Sequence, residues 1–137
     1  MRERFVQSSS GVTSVTRLFV VTAALESGAG VTLLVAPAAV IRLLFGPAVD
    51  LFPAISIARL TGAALLSLGA GCWWARHDGS SPAAQALLGA LLIYNAAVVA
   101  LALAGALGAL GPLLWAVVVL HGVQTIWCAK VILDRRR

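Results

Sequence analysis

Charge is scarce in this sequence: 11% of its 137 residues are charged, five are acidic, and 61% are hydrophobic. An average soluble domain is about 25% charged and 45–50% apolar, so a water-facing surface cannot be assembled from what remains. Cysteine is nearly absent. Cys72 and Cys128 stand alone in their segments, which excludes a Cys-x-x-Cys redox or zinc pattern and leaves small residues packing between helices. There is no Gly-rich phosphate loop, no His-x-x-x-His or Glu-x-x-His metal pattern and no Gly-x-Ser-x-Gly elbow. Met1 is the only methionine, and of the two histidines only His121 falls within an apolar span. One chain therefore cannot supply a His/His or His/Met axial pair for an electron-transfer haem inside a bilayer, and no cofactor is expected unless His121 is shared across a homodimer.

What the sequence has in quantity is long apolar runs, several of them near the roughly 20 residues that a spanning helix needs. Residues 1–16 carry Arg2, Glu3, Arg4 and a Ser/Thr/Gly run and read as a polar, mobile cytoplasmic lead. The spans follow at about 18–36, 53–75, 83–104 and 113–133. A basic tail closes the chain at 134–137. Glu26 in the middle of the first span and the polar stretch from Gln7 to Thr16 fit a retained helix and not a cleaved leader. Pro37 ends the first span, since proline cannot continue a helix ladder. Between Ala38 and Phe52 the run Val40, Ile41, Leu43, Leu44, Phe45 with Arg42 is too short to cross and reads as an interfacial segment. Pro53 suits the first turn of the second span. The expected fold is all-α: an integral membrane antiparallel four-helix bundle with that short segment between helices one and two.

Arg2, Arg4, Arg17, Arg76, Lys130, Arg135, Arg136 and Arg137 collect at one side of the spans, while Arg42 and Arg59 fall toward the other. The positive-inside bias makes the first side cytoplasmic and the cytoplasmic (inner) membrane of a bacterium the expected location, with both termini inside. Trp73, Trp74 and Trp127 then mark the inner interface and Trp115 the outer. The basic residues cluster at span ends and form no broad face, so no nucleic-acid partner is expected. The expected partners are the lipid bilayer and its anionic headgroups, and a homo-oligomer or larger membrane complex.

The residues a membrane helix should avoid are Glu26, Arg59, Asn95, His121 and Gln124, and these make up the candidate intramembrane polar site. Glu26, Asn95 and His121 each stand roughly 13–18 Å from an end of their helix at about 1.5 Å per residue, close to the midplane. An ionisable group there costs about 2.5–3.5 kcal/mol, so each should face the bundle interior. Arg59 is shallower. Its long stem reaches either outward to the interface or down toward Glu26, and a Glu26–Arg59 pair is one expectation. His121, Gln124, Thr125 and Cys128 recur at helical offsets along one face, as a hydrogen-bond seam worth about 0.6 kcal/mol per bond or as a proton relay. Tyr94, beside Asn95, either fills the core or donates a hydrogen bond inward. Ala23, Ser27 and Gly30 on helix one, with Gly62 and Gly69 on helix two, offer small faces for close helix approach. Two functions fit this pattern: proton- or ion-coupled transport with Glu26 as the protonatable group, and a non-catalytic accessory or assembly subunit that docks through the same residues. An enzymatic role is disfavoured.

The motifs Glu26-Ser27-Gly28-Ala29-Gly30, Leu34 with Pro37, Arg59-Leu60-Thr61-Gly62, Tyr94-Asn95 and Trp115 with His121 resemble those of a group of small bacterial four-span proteins over about residues 17–130. In general layout the chain also resembles the DoxX-like proteins. The resemblance implies the four-span topology and no particular activity.

Overall fold

The computed structural model describes the backbone of residues 2–47, 51–105 and 112–136, with side chains over 13–47, 52–105 and 113–135. Among the described residues five helices follow in order: α1 (Arg2–Val35), α2 (Pro37–Phe45), α3 (Leu51–Ala75), α4 (Pro82–Gly105) and α5 (Pro112–Arg136). All but α2 are long and apolar enough to cross a membrane, over Thr13–Val35, Phe52–Ala75, Pro82–Gly105 and Leu113–Arg135. In hydrocarbon a backbone must satisfy its own hydrogen bonds, and a helix does so within one segment.

The polar lead is helical from Arg2 onward. It is continuous with the rest of α1, because extending an existing helix adds one hydrogen bond per residue fixed and avoids a new nucleus. The uncharged turn that Gly108 and Gly111 suggest in sequence lies outside the described residues. The other boundaries have visible causes. Ser81 caps α4, its Oγ accepting the Ala84 N–H at 3.1 Å, and Pro82 takes the first helical position, where no N–H is needed. Pro37 likewise opens α2 after a break at Ala36. Gly46 ends α2 at φ 84°, in a region that side-chain-bearing residues rarely adopt.

The bundle is built from two close pairs, α1 on α3 and α4 on α5, joined by α1 against α5 and by α2, which packs against α1, α3 and α5. The α1–α3 seam is the small face expected from sequence. A Cβ placed on Gly30 would stand 2.7 Å from the Gly62 carbonyl oxygen, and one on Gly62 would stand 2.8 Å from that of Gly30. Gly69 meets Ser27 and Ala23 in the same way. The apolar core lies toward the end that carries the basic clusters, where Val15, Leu18, Phe19, Leu88, Leu91 and Val131 pack together. Cys72 and Cys128 belong to this core, both free and fully buried, in the packing role their isolation suggested. Beyond Asn95 and before His121, by contrast, the described side chains buried on α4 and α5 are Ala102 and Leu114.

Candidate functional site

Three helices bring buried polar side chains together just above the apolar core. Thr22 and Glu26 come from α1, Asn95 from α4, and His121 and Gln124 from α5. On α1 the two are four residues apart and so share a face. On α5, His121, Gln124 and Cys128 are all buried, and Thr125 returns its hydroxyl to the His121 carbonyl at 2.7 Å. The Thr125 bond stays within α5, and the helical offsets put these residues on one face of it.

The contacts form two layers. In the layer nearer the basic end, the Thr22 hydroxyl donates to Gln124 Oε1 at 3.2 Å, while Gln124 Nε2 is buried without a partner among the described residues. One turn away, the Tyr94 hydroxyl donates to Glu26 Oε2 at 3.4 Å, and the Tyr94 ring meets that of His121 edge-on at 5.6 Å and 82°. His121 Nδ1 lies 2.7 Å from Asn95 Oδ1, and Asn95 Nδ2 donates to the Leu91 carbonyl at 2.8 Å. These bonds assign the imidazole tautomer. Asn95 Nδ2 is committed to the backbone, so its Oδ1 faces the ring. A carbonyl oxygen only accepts, so Nδ1 carries the hydrogen, and in the neutral ring Nε2 keeps its lone pair.

Glu26, Asn95, His121 and Gln124 thus converge, and Arg59 does not join them. Arg59 is exposed, and the carboxyl group takes its hydrogen bond from Tyr94. The α3 face turned inward runs through Ala58, Gly62, Leu65, Gly69 and Cys72. At 3.6 residues per turn, Arg59 points about 100° away from the middle of that face. The seating of Gly62 on Gly30 also leaves Arg59 roughly 12 Å along the axis from the level of Glu26, at 1.5 Å per residue. The expected Glu26–Arg59 pair is therefore replaced by a Glu26–Tyr94 bond. Thr22 was not singled out from sequence, although its place four residues before Glu26 is the signal that would have found it. A haem shared between two copies would need His121 on an outer face, and it is buried inside. Among the described residues no group of three or more His, Cys, Asp or Glu stands close enough to hold a metal ion.

Asn95→Leu keeps the side-chain volume but removes the acceptor for Nδ1–H. We expect a stability loss of about 1–2 kcal/mol, above the membrane average of about 0.6 because a fully buried donor is left unmatched. Nitrogen NMR of His121 should then show that the single Nδ1–H tautomer is lost. An unchanged tautomer would exclude the assignment.

The fold and composition define a multi-pass helical membrane protein: among the described residues four helices suit crossing a membrane, and three of them bury a polar cluster between them. Comparison with family models, with curated proteins and with solved structures finds no match to this chain.

Proposed function

We propose that this protein carries protons or small cations across a bacterial inner membrane, with Glu26 as the group that takes up and releases the charge. The observation that carries this reading is a buried carboxyl group with no basic partner among the described residues, hydrogen-bonded to Tyr94 on another helix. A structural carboxylate in hydrocarbon is normally paired, and an intramembrane ionisable group is by default a functional one. Gln124 Nε2 supports the same reading, since a buried donor without a partner favours a site that admits water or a ligand. His121, with Nδ1–H pinned by Asn95, presents a basic nitrogen suited to relaying a proton. The apolar core closes the site on the basic side. An accessory subunit docking through these residues would need them on an outer face, and four of the five are buried.

The test is flux. Purified protein in liposomes loaded with a pH-sensitive dye should dissipate an imposed proton gradient faster than empty liposomes when a potassium diffusion potential drives charge. Rates equal to those of empty liposomes, with protons and with sodium or potassium gradients, would refute transport.

The basic end faces the cytoplasm in this proposal, following the bias of the eight basic residues on that side. Ser80 is exposed in the connection between α3 and α4. In a chain with Cys72 and Cys128 replaced by alanine, Ser80→Cys should resist an impermeant maleimide in intact cells and react after permeabilisation. Labelling in intact cells would reverse the orientation.

A further inference from the structure

The outer surface of the α1–α3 pair carries a groove of about 460 Å³, lined by Val20, Ala24, Ser27, Gly69, Trp73 and Trp74 among others. It exists because the small residues of the seam let the two backbones approach while larger side chains stand on either side. At its basic end are two arginines. Arg17 lies on the same α1 face as Val20 and Ala24, at helical offsets of three and seven, and is exposed. Arg76 is fixed against the groove wall, its guanidinium 3.9 Å from the centre of the Trp73 ring and donating to the Trp73 carbonyl. Among the described residues neither is paired with a carboxylate, so the groove ends in uncompensated positive charge.

We propose that this groove is a binding site for an anionic phospholipid, one acyl chain lying along the Gly69–Trp73 channel and the phosphate group between Arg17 and Arg76. The occupant follows from the shape and charge together. The walls are apolar and face hydrocarbon, where an acyl chain is the ready filler. The cations sit where a span ends, at headgroup depth, and a headgroup with net negative charge is the one whose transfer there is favoured. Stacking on Trp73 holds the Arg76 side chain in place, which lowers the ordering cost of binding a phosphate. This site is separate from the Glu26 cluster and does not depend on transport.

Brominated lipids test it through the two groove tryptophans. In a Trp115→Phe, Trp127→Phe background, Trp73 and Trp74 report contact by quenching. Dibromo-phosphatidylglycerol in phosphatidylcholine liposomes should quench more strongly than dibromo-phosphatidylcholine at equal mole fraction, with about a fivefold preference per arginine. Arg17→Gln and Arg76→Gln should each reduce that preference, and the double variant should abolish it. Arg42→Gln, at the opposite end of the bundle, should leave it intact. Equal quenching by the two lipids in the parent protein would overturn the site. So would efficient disulfide dimerisation through Trp74→Cys in a chain lacking the native cysteines, because that outcome seats a second copy in the groove.

Discussion

Replacing Glu26 with glutamine is expected to reduce proton flux through reconstituted protein to the level of empty liposomes while leaving the bundle folded. Glutamine has nearly the volume of glutamate, and its Oε1 can still accept the Tyr94 hydroxyl, so the contact between α1 and α4 survives. What it cannot do is ionise. Thermal stability in mild detergent should therefore change by no more than about 1 kcal/mol, the scale of one exchanged hydrogen bond. Aspartate at the same position keeps the charge but draws it back by one methylene, and should restore part of the flux. Tyr94→Phe removes the hydrogen bond and keeps the carboxyl group, so it should alter the pH profile of flux without eliminating it. Flux in Glu26→Gln equal to that of the parent would remove Glu26 from the proposed mechanism, whatever its stability.

Gly30→Leu should separate α1 from α3 and be the most destabilising single substitution along that seam. Even the first added carbon would stand 2.7 Å from a backbone oxygen of Gly62 and 2.9 Å from the backbone nitrogen of Leu66. Backbone atoms cannot swing away as a side chain can, so the whole helix must move. Overpacking costs about 1–3 kcal/mol where neighbours give, and the upper end or beyond is expected here. Gly62→Leu should have a similar effect. The double variant should lose less than the sum, since the helices part once. Gly28 provides the control, having nothing within 4 Å of an added Cβ. Gly28→Ala should leave stability unchanged or raise it by about 0.5–1 kcal/mol through helix propensity. Equal melting temperatures for Gly30→Leu and Gly28→Ala would show that the seam is not a close contact.

The candidate site was half legible in the sequence, and particular residues show why. Glu26, Asn95 and His121 declared themselves by composition, because a polar side chain deep in an apolar run is costly and must turn inward. Their common depth followed from counting residues at 1.5 Å each. Which atom bonds which was not readable. Tyr94 and Arg59 were both available to Glu26, and the choice between them depended on the rotation of α3 about its axis. The small residues at Gly62 and Gly69 set that rotation by their fit against Gly30 and Ser27. Once they are seated, Arg59 has no path inward and Tyr94 is left facing the carboxyl group.

The division reflects how a membrane shapes a chain. Because lipid offers the backbone no hydrogen bonds, each long apolar segment becomes a helix by itself, whatever its neighbours, and its ends fall where proline, glycine and polar residues interrupt it. Sequence alone therefore determined the number of long apolar helices, their approximate limits, the short segment at α2, the small face of α1 and the common level of Glu26, Asn95 and His121 along the bundle. The phase and pairing of those helices arise from packing between surfaces, with no bulk hydrophobic force to choose among partners. Only the tertiary structure decided that α1 pairs with α3 and α4 with α5, that Arg59 turns outward, that Thr22 reaches Gln124, and that Asn95 fixes the proton on His121 Nδ1.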